Sequence, residues 1–325
     1  AQDQINHYFT NPLWYGFTGT PIFSEDAKDS PGNLPATTEE QYGACLNKYT
    51  IKEALHDGAV LGFQVEYHNT FDMRVLARQN NIEKWTQDDD GFGLETALLK
   101  AKVIDTAYED EEHMLRVVDF IVNKASGKFG LKRGKGDTYT AILTTSSIKQ
   151  AQRYYQMFKR VKAGAEPRVT ISDDVKRQLA DFPKVAITYS VSENGDNDSF
   201  NQDQMKESMS DYNEMFGTQY TMEQIDAYNC NVNDRLARKK KLYQVREAQL
   251  DLVIVVDRLL TGFDAPSLST LFIDRKPMRS YGIIQAFSRT NRLYDSQKRF
   301  GQIVIFQVPA HFKRAVDHAM KLYSS

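Results

Sequence analysis

Two arginines and a glutamine near the C-terminus are spaced for work on a phosphate. Gln285, Arg289 and Arg292 fall at i, i+4 and i+7, so a helix over 281–292 would present one amide and two guanidinium groups on a single face. A guanidinium stays charged and grips phosphate oxygens through a planar fork. A pair beside a nucleotide could therefore stabilise charge developing on a transferred γ-phosphoryl group. The commoner fate of such a pair is a plain surface position on an amphipathic helix. Upstream, Asp257-Arg258-Leu259-Leu260-Thr261-Gly262-Phe263-Asp264-Ala265-Pro266 offers a glycine that lets backbone approach a ligand. It also offers a carboxylate able to accept from a ribose hydroxyl or orient an arginine. The alternative is an Asp-capped turn before proline. Other chemistry finds less support. The six histidines do not cluster with Cys or carboxylates at ligand spacing, and no Gly-x-Ser-x-Gly elbow occurs. Asp88-Asp89-Asp90 reads as a solvated loop rather than a metal site, and Cys45 and Cys230 as buried thiols without chemistry.

Several short, β-branched, almost continuously apolar runs must position these residues: Tyr139–Thr144, Val185–Tyr189, Leu252–Val256, Leu271–Ile273 and Ile303–Phe306. Strands buried on both faces look like this. Val60–His68 and Leu13–Phe17 read as further strands, the latter stopped by Thr18-Gly19-Thr20-Pro21. Helical patterns at 94–125, 147–163, 202–216, 222–245 and 281–291 lie between them, so the unit is repeated βα with a mostly parallel sheet. Residues 24–41, with Ser30-Pro31-Gly32 and Pro35, form a polar loop and the best boundary. The length of 325 residues is about two domains' worth, and no apolar run is long enough to span a bilayer. Two cysteines are too few for a disulfide framework, which points to a reducing cytoplasm.

The net charge of −2 hides segregation. Residues 83–112 and 192–234 are strongly acidic, while 235–314 carry sixteen bases against six acids, which suggests a phosphate-rich ligand. Residues 124–136 carry five bases (Lys124, Lys128, Lys132, Arg133 and Lys135) and no acid, and 126–137 reads as a glycine-rich loop. The Thr145-Ser146-Ser147 turn could meet a DNA phosphate at a helix N-terminus or serve only as an N-cap.

Taken with Thr18-Gly19-Thr20-Pro21, these motifs resemble those of a superfamily 2 helicase or translocase. More narrowly, Gly16 to Phe23, Tyr49-Thr50-Ile51 with Asp57-Gly58, Leu260 to Pro266 and Gln285 to Arg292 resemble the motor (R) subunit of type I restriction enzymes, over essentially the whole chain. The resemblance implies an α/β, recombinase-like (RecA-like), mostly parallel sheet flanked by helices, with a helical insertion. Residues 1–42 would be the C-terminal edge of a first motor domain and a linker; residues 43–325 would be the second, with the insertion at about 72–137. By the same resemblance Thr18, Gly19 and Thr20 match motif III and, with Gly262 and Asp264 of motif V, would face the nucleotide. Gln285, Arg289 and Arg292 match motif VI, with Arg292 the arginine finger and Arg289 a second γ-phosphate ligand. Thr145, Ser146, Thr261, Lys128, Lys132 and Arg133 would contact DNA. The implied cofactors are ATP and Mg²⁺, with most of their ligands outside this chain. The implied partners are double-stranded DNA and the modification and specificity subunits, with no membrane. A Walker A loop and an acidic box are missing; Gly130-Leu-Lys-Arg-Gly134-Lys135-Gly136 has the wrong spacing and precedes a strand. The chain is thus expected to be a fragment without ATPase activity of its own. Another superfamily 2 fragment, or a non-enzymatic module binding nucleic acid or subunits, is the alternative.

Overall fold

Six of the apolar runs become strands: β1 (Gly62–Tyr67), β2 (Thr140–Thr145), β3 (Val185–Thr188), β4 (Leu252–Val255), β5 (Leu268–Asp274) and β6 (Phe300–Ile305). The computed structural model describes residues 7–10, 13, 15–27, 35–85, 87–134, 136–189 and 198–324, with side chains in the last segment from 201. The strands form one sheet in the order β1-β6-β5-β2-β4-β3, and all five pairings are parallel. Every residue of β2, β3, β4 and β5 is buried, as the apolar runs required. The expected α/β fold, a parallel sheet flanked by helices, is the one observed.

The helices are α1 (Thr38–Tyr42), α2 (Ile51–His56), α3 (Met73–Gln79), α4 (Phe92–Lys100), α5 (Val103–Glu109) and α6 (Glu111–Asp119). They continue with α7 (Ile148–Lys162), α8 (Asp173–Gln178), α9 (Asp198–Phe216), α10 (Ile225–Ala237), α11 (Ser280–Phe287) and α12 (Pro309–Tyr323). Ser147 caps α7 by accepting from Gln150 N–H at 3.2 Å. The helical stretch 72–137 divides between two cores. Met73, Ala77, Leu94, Leu98, Ile104 and Tyr108 pack with Val308 in a small cluster, whereas Met114 to Leu131 join the main one. Glu95 on α4 ties the small cluster to α12: its buried carboxylate accepts from the Ala310 and His311 N–H groups, both at 2.9 Å. It thereby satisfies donors that every helix N-terminus leaves free.

Three expectations fail. Leu13 and Tyr15 to Phe17 form no strand and are exposed (Phe17 is 96% exposed). A run becomes a strand only where a neighbour completes its hydrogen bonds, and none pairs with it here; Trp14, like Ser30-Pro31-Gly32 and Lys135, lies outside the described residues. The helix expected over 222–245 ends at Ala237 with Arg238 in the left-handed region (φ 52°). Cys45 and Cys230 are free and exposed rather than buried. On α10 the buried positions nearest Cys230 are Tyr228, Asn229 and Val232, which turns Cys230 outward.

Candidate functional site

Helix α11 is shorter than the spacing of its polar residues suggested. It ends at Phe287, and Arg289 and Thr290 donate their N–H groups three residues back, to Ala286 and Phe287. Thr290 Oγ1 donates to Phe287 O at 2.9 Å. Such local side-chain bonds tighten and stop a helix. Arg292 is therefore not on the helical face with Gln285 and Arg289. It lies on the extended segment that follows, whose Asn291 carbonyl accepts from Leu61 N–H at 2.8 Å, just before β1. Gly301 at the start of β6 permits this: a Cβ there would collide with Thr290 Oγ1 and sit 3.0 Å from the Thr290 carbonyl carbon.

The turn brings the sequence motifs together. A cleft of about 500 Å³ is walled by Phe17 to Thr20 on one side and by Gly262, Gln285, Ser288, Arg289, Asn291 and Arg292 on another; Tyr49 to Ile51, Ala54 and Val60 complete it. Gln285 Nε2 donates to Thr20 Oγ1 at 2.6 Å, joining segments at opposite ends of the chain. Thr18 Oγ1 accepts from Thr20 N–H at 3.1 Å, which holds the Thr-Gly-Thr turn. Arg289, just past the end of α11, is fixed by that helix, donating to Gln285 O at 3.0 Å, and by the loop after β4, donating to Phe263 O at 2.7 Å. Burial, followed by the like charge of Arg292, lowers its pKa. Asp264 accepts from Lys239 Nζ at 2.7 Å and sits 3.4 Å from Arg292 Nε. That contact is coulombic only, because Arg292 Nε is buried without a hydrogen-bond partner. The Lys239 hydrogen bond, helped by the charges of Arg292 and Arg289, holds the Asp264 carboxyl below the usual carboxylate range. Gly262 has a φ of +68°, and a Cβ added to it would meet nothing within 4 Å, so the left-handed backbone rather than crowding calls for glycine.

Lys298 was not legible in the sequence, where Lys298-Arg299 reads as part of a basic run. It is 4% exposed. Its amino group donates to Pro266 O and to Arg292 O, each at 2.8 Å. Burial pushes it down to about 7.

The expected DNA contacts separate from this cleft. Thr145, at the end of β2, is buried and its hydroxyl donates to Ser147 O at 3.1 Å, so it does not face a phosphate. Ser146 is exposed and its hydroxyl donates to Gln150 Oε1 at 2.7 Å. Lys128 is committed to Glu66 at 2.5 Å and Gln302 at 3.0 Å. Arg133 donates to Asp295 at 2.8 Å and to Asp137, over the Tyr139 ring. Both reach inward instead of forming a solvated basic face. Lys132 and Thr261 are exposed. Part of the basic surplus of 235–314 is answered by acids from outside that segment: Arg246 pairs with Asp181, Lys276 with Asp105, and Arg314 with Asp88 and Asp90. Asp88 and Asp90 are thus paired, and they also accept from the Gly93 and Phe92 N–H groups at the start of α4.

Among the described residues no group of three or more His, Cys, Asp or Glu is placed to hold a metal ion, and no helix is long and apolar enough to cross a membrane. Residues 137–308 match the family described as type I restriction enzyme subunit R domain 3, and residues 1–92 match SWI2/SNF2 ATPase. The SsaAORF53P endonuclease subunit of a type I restriction enzyme from Staphylococcus saprophyticus is 30% identical over 98% of this chain. The SauCOLORF180P endonuclease subunit from Staphylococcus aureus is 28% identical over the same share. The chain spans 30% of the length of either relative. A solved structure of the ATP-dependent type ISP restriction-modification enzyme LlaBIII bound to DNA aligns with 95% of this chain and 17% of its own, at 12% identity and a TM-score of 0.46. With more than half of its residues matching one of that subunit's domains, the chain belongs to the type I restriction enzyme R-subunit family.

Proposed function

We propose that this chain is the second motor domain, with the edge of the first at residues 1–42, of the ATP-driven translocase in a type I restriction enzyme R subunit, acting on double-stranded DNA. The observation that carries the reading is the cleft in which Thr18 to Thr20, Gly262, Gln285, Arg289 and Arg292 meet. Its chemistry fits a triphosphate: two guanidinium groups on one wall, one of them with a buried Nε that nothing among the described residues satisfies. Bound ATP supplies the γ-phosphoryl group and the negative charge that develops as it is transferred. Arg289, clamped by two carbonyls, is a fixed cation. Arg292 is partly exposed on the cleft wall and is free to turn its fork toward an anion, with Asp264 holding it until one arrives. Gln285 and the Thr20 hydroxyl link that wall to the Thr-Gly-Thr turn. Mg²⁺ and the β-phosphate would be held by residues outside this chain. Duplex DNA and the modification and specificity subunits are the partners that membership of the family suggests, in a cytoplasmic complex.

The test is Arg292→Ala in the full-length subunit. A finger acts on charge present only during transfer, so ATP affinity should stay nearly intact. DNA-stimulated hydrolysis should fall by roughly 10³-fold or more. Near-normal turnover would remove Arg292 from the site.

A further inference from the structure

Arg292 lies outside any helix, followed by the exposed Leu293 and Tyr294. A fork that must meet a transient charge needs a fixed backbone, and the chain supplies that fixation one turn later. Lys298 is buried, and its amino group reaches across to two carbonyls at 2.8 Å, that of Pro266 closing the motif V loop and that of Arg292 itself. Its own N–H is held by Asp295 Oδ1 at 2.8 Å, and Asp295 is in turn anchored by Arg133 and Tyr139. A buried amine carries at least two N–H bonds in its charged and its neutral form, so the bridge survives titration. Asp295 and Arg292 are the charges that bear on it.

We propose that Lys298 is a positioning residue of the motor, which locks the Arg292 backbone to the motif V loop and so sets the finger relative to Gly262 and Asp264. This rests on the assignment of Arg292 above. It also gives the Lys128 to Asp137 loop a task at the cleft: through Arg133 it steadies Asp295, and through Asp295 the Lys298 bridge.

The experiment uses the full-length subunit with duplex DNA. Lys298→Met keeps the apolar stem and removes both donors. The expected result is a fall of about 10²-fold in kcat for ATP, the scale of a misplaced catalytic group, with KM for ATP little changed. In an Arg292→Ala background the same substitution should add no further loss, because the residue acts through Arg292. Val304→Ala, a truncation in buried β6 away from the cleft, controls for lost stability and should keep its kcat. If Lys298→Met does not fold, Lys298→Gln, with an amide on a shorter stem, is read by the same two comparisons. A normal kcat in the Lys298 variant, beside a crippled Arg292→Ala, overturns the role of Lys298 and leaves the motor reading standing. A full additional loss in the Arg292→Ala background overturns it as well. An unimpaired Arg292→Ala overturns both.

Discussion

At the residue scale, the proposed role of the cleft rests on guanidinium geometry more than on charge. Arg292→Lys keeps the charge but replaces a planar fork by a point ammonium, so hydrolysis in the full-length subunit should recover little over Arg292→Ala. Turnover at saturating ATP for the two variants decides this. Lys298 makes a separate mark on stability. Its folded pKa of about 7 lies below the ordinary lysine value of about 10.4. Between those values the unfolded chain binds the extra proton, so stability should rise with pH across that window. Urea midpoints at pH 7 and 9 should therefore diverge between the parent chain and Lys298→Met, the parent gaining more at pH 9. An equal shift in both would show that Lys298 is not the titrating group. Gly262, Gln285, Arg289 and Arg292 stand out in the sequence by residue type and do meet in one cleft, although not on the single helical face that their spacing suggested. Lys298 was not legible, because a buried lysine and a solvated one are spelled alike, and only the two carbonyls around it tell them apart.

At the element scale, the turn after α11 is the feature that sets the site. The sequence spacing suggested one helical face through Arg292, but Thr290 commits its hydroxyl to Phe287 O and the helix stops. Gly301→Ala should push Thr290 out of that turn, at a cost of roughly 1–3 kcal/mol, because the added methyl meets backbone that cannot give way. Thermal unfolding checks the stability, and a wild-type melting temperature would show that the turn can shift. The strands of the sheet's middle were readable from their apolar runs, since burial on both faces leaves no alternation. Leu13 to Phe17 misled for the same reason: apolarity reports a wish for cover, not a hydrogen-bonding neighbour. Helix α11 failed at its end because Ser288, Thr290 and Asn291 are as compatible with a turn as with a helix.

At the scale of the whole molecule, the charge segregation that pointed to a phosphate-rich ligand is partly cancelled by folding. Arg246, Lys276 and Arg314 each pair with an acid far away in sequence, and Lys128 and Arg133 turn inward. Among the described residues the cleft keeps one cationic wall, and on the proposed reading the groups that grip β-phosphate and Mg²⁺ belong to the other motor domain. This chain alone should therefore hydrolyse ATP no faster than background even with DNA present; a turnover like that of ordinary motors, measured on the purified chain, would overturn the two-domain division of the site.

The pairing of β1 with β6 sets Gly62 beside Phe300 and Tyr67 beside Ile305. During synthesis β1 precedes its partner β6 by every element from α3 to α11, and it waits unpaired while they are made. It can join the sheet only once β6 has emerged. A message cut short before β6 would not yield a weakened motor. It would release a protein with β5 bare along one side and β1 stranded, two open edges ready to pair with those of other copies.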